Sequence, residues 1–292
     1  MTQAIVGGIA NGAIFGLVAL GIVLVYKGTK VLNFAQGELG TVSLFVAWWF
    51  VNEQGLPYWM GAISGIATSV LIALLFERLV VRRMVEAERL SIAVATVGLF
   101  FFLFAAEILV FSESILLLPP PIEGLGPQIL GFYVNPGYQL AFAAMALIGG
   151  GLALFLRRTD FGLGVLAASQ DPVAVRLVGI RYGRVSMFTW GMAGFLGAVA
   201  ALLIQPLIGA FDPGFMTVFF VRGLAAALIG GMTSLPGAFV GGIIVGVLDA
   251  VVGQLFIGST FPGIQSVVIF LVIIAVLLVA PNGVLARSRA RS

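Results

Sequence analysis

The sequence predicts an all-α protein, a polytopic transmembrane bundle of about eight to nine spans, some of them half-spanning. Three observations lead there. Of 292 residues, 61% are hydrophobic and only 9% charged, where a soluble domain carries about 25% charge. The mean hydropathy is +1.16. The apolar residues fall in runs of the roughly 20 residues that a spanning helix needs, and the cations crowd into a few short connections.

The first run is Ala4–Tyr26. No cation precedes it, and Lys27 and Lys30 follow it. A cleaved signal peptide has the reverse order, so this run is expected to be a retained span. Further runs are Phe34–Val51, Tyr58–Val81, Ser91–Phe111, Tyr138–Leu156, Ser186–Gly209, Phe215–Gly231, Gly237–Ile257 and Pro262–Ala280. The second and seventh are short and glycine-rich. They are expected to be half-spanning helices beside irregular backbone, which membranes tolerate only where protein or a watery cavity shields it.

The positive-inside rule orients the chain. Lys27, Lys30, Arg78, Arg82, Arg83, Arg89, Arg157, Arg158, Arg176, Arg181, Arg184 and the tail arginines from Arg287 onward are expected on the cytoplasmic side. The connection 112–137 has Glu113 and Glu123 but no cation and is expected outside. The N-terminus is then out and the C-terminus in. Arg222 is discordant, near the outer end of its run, and must snorkel or pair. Residues 1–292 read as one transmembrane domain, with an external loop at 112–137 and a long cytoplasmic segment at 157–185. Pro119, Pro120 and Pro121 make the start of that loop extended or turn-forming.

A weak internal repeat is visible. Phe34-Ala-Gln-Gly37 is followed by Thr41, Val42 and Val46; Phe211-Asp-Pro-Gly214 is followed by Thr217, Val218 and Val221. The predicted topology puts the first copy at the inner end and the second at the outer end, as an inverted repeat requires.

Small residues recur every four positions at Gly8, Gly12, Gly16; Ala193, Gly197, Ala201; Gly237, Gly241; and Gly242, Gly246. This spacing suits close helix packing, with a sliding interface as the functional reading. Polar residues inside the spans are few: Asn11, Glu107, Gln205, Asp249 and Gln254. Ionisable groups at membrane depth are costly and so mark function. Glu107 is expected to reach water at its helix end. Asp249, near mid-span, is expected either to face a cavity or to pair with a Gln or Asn.

The chain has no Cys and no His, which excludes disulfides, Cys/His metal sites and Ser-His-Asp or Cys-His catalysis. No carboxylate spacing suits a metal. No GxxxxGK[ST] phosphate loop is present, so nucleotide is not held by that route. The charge distribution suits a lipid bilayer rather than nucleic acid. The expectation is a transport subunit with no cofactor, and not an enzyme.

In the cytoplasmic segment, Asp171 is a plausible N-cap, Pro172 a first helical residue and Gly179 a stop, so a short helix over 172–178 is expected. It is read as an interfacial helix or a dock for a soluble partner. Its sequence, DPVAVRLVGI, resembles the coupling segment of LivH-type permeases from ATP-binding-cassette importers of branched-chain amino acids. YKGTKVLNFAQGELG (26–40), LIGGMTSLPGAFVGGIIVG (228–246) and APNGVLA (280–286) are similar to other motifs of that family. The chain departs from it at Leu166, where Arg is frequent, and at Ala280, where a basic residue is usual.

The resemblance implies a multi-pass protein of the bacterial cytoplasmic membrane that moves branched-chain or related hydrophobic amino acids by alternating access. It implies a second related permease as heterodimer partner, two ATP-binding subunits and an extracytoplasmic solute-binding protein. It assigns coupling to Asp171, Pro172, Ala174, Arg176, Gly179 and Ile180. Asn11, Asn33, Gln36, Gly37, Glu38, Gln205, Gly214 and Asp249 are the pathway candidates. The alternatives are an ion-coupled secondary transporter, a membrane-embedded enzyme, a channel, and an importer permease for amides or urea.

Overall fold

A computed structural model describes residues 2–112, 114–122, 124, 126, 128–129, 132–133, 135–170, 181–256, 263–280 and 283. The helices are α1 Thr2–Thr29, α2 Gln36–Trp48, α3 Tyr58–Leu79, α4 Arg89–Phe111, α5 Pro136–Ala144, α6 Gly150–Arg158, α7 Asp160–Gln170, α8 Tyr182–Ile208, α9 Met216–Gly230, α10 Leu235–Leu255 and α11 Ile264–Val279. A π-helical turn, Trp49–Glu53, extends α2, and another, Met145–Gly149, joins α5 to α6. In the connection between α4 and α5, Gln128–Ile129 (β1) pairs antiparallel with Phe132–Tyr133 (β2).

Every predicted span coincides with a helix, but the lengths differ. Among the described residues, six segments are long and apolar enough to cross a membrane: 4–29, 58–84, 89–111, 136–158, 182–208 and 235–255. The protein is therefore a multi-pass helical bundle. The 15 residues of α9 span only about 22 Å, against a hydrocarbon thickness of about 30 Å. The helix α7 was not foreseen; the expected helix at 172–178 lies outside the described residues.

The bundle is built around α1. That helix is apolar all round, which suits a helix surrounded by others, and Ala13, Ile14, Leu17, Val23 and Leu24 are wholly buried. Its largest neighbour is α10, followed by α8 and α9. The reason is the small-residue spacing. A Cβ on Gly12 would stand 2.7 Å from the Gly242 carbonyl oxygen and 2.8 Å from Ile243 Cα, and one on Gly8 would stand 2.7 Å from Ala250 Cβ. The glycines let the two backbones touch, which is the packing role expected of them. Gly237 and Gly241 do the same for α10 against Gly230 and Ala226 of α9.

The outer faces of α3 and α4 carry exposed Trp59, Ile63, Leu71, Val94, Phe102 and Leu109. Apolar faces of this extent need lipid or a partner subunit against them. Several of the predicted inner cations meet at one end. Lys30, Arg82, Arg89 and the start of α8 line a common recess of about 200 Å³. Arg82 pairs with buried Glu77 at 3.1 Å and donates to the Gly183 carbonyl at 2.9 Å. Lys27 Nζ donates to Thr233 O, in the α9–α10 turn, at the same end.

At the opposite end Leu116 bridges Phe211. Phe45 stacks on Phe111 with centroids 4.5 Å apart and meets Phe211 edge-on at 5.2 Å.

Candidate functional site

The chain re-enters the bundle after α1. Gln36, the first residue of α2, donates from Nε2 to the carbonyl of Val18 at 3.0 Å. Val18 lies eleven residues before the end of α1, a rise of about 16 Å. Thus α2 begins deep in the bundle. The irregular backbone leading to it is satisfied by protein, as burial away from water demands. Phe34 N donates to Thr96 Oγ1 at 3.1 Å, and Ala35 N to Asn33 Oδ1 at 3.1 Å.

From the other end, Phe211–Phe215 leads to α9. Gly214 has φ +77°, which favours glycine. The amino ends of α2 and α9 then overlap. Met216 N donates to Thr41 Oγ1 at 3.1 Å, and Thr217 Oγ1 to Glu38 Oε1 at 2.7 Å. A Cβ on Gly37 would lie 3.0 Å from Phe220 Cβ. The two repeat-like motifs thus lie side by side, each at a helix start, having entered from opposite ends.

Glu107 joins this junction from α4. Its Oε2 accepts from Gly214 N at 3.2 Å, in the same turn of chain whose Thr217 hydroxyl donates to Glu38. Glu107 is 3% exposed, so the expectation that it simply reaches water is corrected. The turn of Gly214 closes over it. Helix amino ends carry partial positive charge, and here the chain's own carboxyls occupy that position.

The other candidates fall in four places. Asn33, Gln36 and Glu38 are buried at this junction, with Gly37 beside them and Gly214 at its rim. Gln205 is buried at the other end, donating to the carbonyls of Gly209 (3.1 Å) and Leu118 (3.4 Å). Asn11 is on α1, with Oδ1 buried and unpartnered among the described residues. Asp249 is paired, but not with Gln or Asn: Arg222 Nη2 lies 3.0 Å from its Oδ1. That corrects one expectation and answers the discordant cation, which pairs within the bundle. The Arg222 guanidinium also lies 5.9 Å from the Phe15 ring and 5.8 Å from the Phe219 ring, within cation–π range.

The coupling residues Asp171, Pro172, Ala174, Arg176, Gly179 and Ile180 lie outside the described residues. Sequence reasoning marked Thr41 and Thr217 only as repeat positions, and it missed Thr96 and the convergence of Glu38 and Glu107 on the turn Gly214–Thr217. Threonines in apolar runs carry no signal by themselves, and the two glutamates are far apart in the chain.

The family described as branched-chain amino acid transport system / permease component matches residues 4–277. The chain is 29% identical to the high-affinity branched-chain amino acid transport system permease protein BraD of Pseudomonas aeruginosa, over 98% of this chain and 95% of that one. It is 27% identical to LivH of Escherichia coli K12 at the same coverage. It is 28% identical to a probable branched-chain amino acid transport permease LivH of Methanocaldococcus jannaschii, over 95% of this chain and 90% of that one.

Proposed function

Because the chain belongs to the branched-chain amino acid transport system permease family, we propose that it is the membrane-spanning permease of an ATP-binding-cassette importer for branched-chain amino acids. The observation that carries this reading is the junction of two short helices deep in the bundle, their amino ends overlapping after entry from opposite sides. Broken helices of this kind accompany substrate paths in transporters, where irregular backbone is sheltered by protein. A simple anchor has no use for them.

In this reading the cation-rich end faces the cytoplasm, the N-terminus is outside, and the motifs at 34–46 and 211–221 are an inverted repeat. The chain works as a heterodimer with a related permease in the bacterial cytoplasmic membrane. Two ATP-binding subunits dock on the inner face, and a solute-binding protein delivers the amino acid outside. ATP is hydrolysed on the partners. Alternating movement of α2 and α9 about their shared junction opens the path to each side in turn. An amino acid with an apolar side chain needs polar groups only for its two charged ends, and an apolar lining suits the rest.

The deciding experiment is reconstitution in vesicles with the cognate ATP-binding subunits, partner permease and binding protein. Labelled leucine is expected to accumulate only with ATP and all components. Uptake driven by an ion gradient without the ATP-binding subunits would instead make it a secondary transporter.

Two further results are expected. Ala174→Asp with Arg176→Glu should release the ATP-binding subunits in a detergent pull-down while the permease stays folded; co-purification at wild-type strength would remove the docking role. The chain contains no cysteine, so Gln36→Cys creates a single thiol. It is wholly buried here and should react with a water-soluble thiol reagent in at least one nucleotide state of the assembled importer. A thiol inert in every state would take the junction off the pathway.

A further inference from the structure

Three cations surround the recess at the basic end of the bundle. Lys30 follows α1, Arg82 lies in the 3-10 turn Val81–Met84 after α3, and Arg89 is the first residue of α4. Among the lining residues the one carboxylate is Glu77, which Arg82 holds at 3.1 Å. Three cations against one carboxylate leave the recess two charges positive. Lys30 and Arg89 have no carboxylate partner among the described residues. Lys30 Nζ lies 5.6 Å from the centroid of the Tyr26 ring, a contact that leaves its charge unneutralised.

The helix dipoles add to this charge. Cations suit helix carboxyl ends, and Lys30 and Arg82 follow that rule behind α1 and α3. Arg89 instead opens α4, while Arg181 and Arg184 open α8, whose Tyr182 and Gly183 also line the recess. Neither helix has an acidic residue in its first turn or a side chain capping its amino end. Glu88, just before α4, neither caps it nor lines the recess. The positive-inside preference asks only that cations lie on one side of the membrane. It does not ask them to converge on a recess beside two uncapped helix ends.

Beside the cations the surface is apolar. Val81, Val85 and Ile92 line the recess itself. Leu79 ends α3, Leu90 and Val94 follow Arg89 on α4, and all three are exposed. The recess, about 200 Å³, is smaller than the roughly 300–1,000 Å³ of a site that encloses a whole small molecule. It suits an anionic group whose apolar remainder lies outside.

We propose that this recess binds the phosphate of an anionic phospholipid, with Lys30 and Arg89 meeting its oxygens and the acyl chains lying along Leu79, Leu90 and Val94. Arg82, fixed by Glu77 and by the Gly183 carbonyl, adds charge and holds the recess in shape. A zwitterionic lipid is the poorer ligand, because its ammonium meets the same cations. The lipid ties together the ends of α1, α3, α4 and α8. The inference depends on the bundle lying in a membrane and not on what the permease carries.

The test is native mass spectrometry of the purified, delipidated protein, with any subunits that accompany it, mixed with phosphatidylglycerol, phosphatidylcholine or inorganic phosphate. Phosphatidylglycerol is expected to be retained in preference to phosphatidylcholine at equal concentration. Lys30→Gln with Arg89→Gln should weaken its binding about thirtyfold, near fivefold for each cation removed. Arg157→Gln with Arg158→Gln removes the same charge from the exposed end of α6, outside the recess, and should leave binding unchanged. Equal retention of the two lipids, or of neither, overturns the proposal. Equal losses in the two double variants would show a diffuse basic surface and overturn it too. Inorganic phosphate that displaces the lipid at equal concentration would make this a site for the free anion instead. If the recess variant fails to fold, Arg89→Gln alone, at an exposed position, takes its place. A loss of about fivefold is then expected, and no loss overturns the site.

Discussion

Replacing Asp249 with Leu is expected to destabilise the folded permease by about 3–5 kcal/mol, the cost of leaving a buried charge without its partner. Arg222 and Asp249 are held 3.0 Å apart, with side chains only 11% and 15% exposed. Arg222 has no second carboxylate to turn to among the described residues. Its Nη1 lies 3.5 Å from the Val218 carbonyl, a weak contact, and its Nε has no partner. The measurement is the folded, monodisperse yield in detergent together with the melting temperature.

The double variant Arg222→Met with Asp249→Leu should recover much of the loss, because removing both charges removes the desolvation penalty as well as the attraction. If the single variant is as stable as the wild type, the pair contributes nothing to the fold. Leucine uptake by the double variant then separates two roles. Recovered folding with abolished transport would place the pair on the path.

Gly12→Val should be comparably severe, costing about 3 kcal/mol or more from overpacking. The first carbon of any side chain at Gly12 meets the Gly242 carbonyl oxygen at 2.7 Å, and backbone cannot swing aside as a side chain can. The helices α1 and α10 must separate, at the most extensive contact of the central helix. Gly98→Val on α4 is the control, since nothing lies within 4 Å of a Cβ there, and its effect should be small. Equal melting temperatures for the two valine variants would show that α1 and α10 are not held by glycine contact.

Much of the architecture was legible because hydrocarbon imposes simple rules. Apolar runs at Ala4–Tyr26 and Ser186–Gly209 became α1 and α8, since a backbone in lipid must satisfy its own hydrogen bonds by coiling. The four-residue spacing of Gly8, Gly12 and Gly16 correctly signalled close packing, because that interval returns to the same helix face. The brevity of Phe215–Gly231 signalled a short helix. What failed to show was of another kind. The stretch 160–170 carries α7, yet its mixed composition gave no apolar run long enough to mark it. Glu107 was placed by its distance from a helix end, and that distance says nothing about what covers the end.

The amino-acid sequence by itself determined the membrane bundle, the helix positions, the small-residue faces and the family, because each depends on periodicity, composition or motif along one stretch of chain. Only the tertiary structure decided that Arg222 belongs to Asp249, that the motifs around Gln36 and Gly214 meet inside the bundle, and that Glu38 and Glu107 bind the same turn of chain. Those pairings join residues 27, 178 and 69 positions apart. Which side chain finds which across such distances is settled by how whole helices pack, and buried charge then makes the outcome consequential.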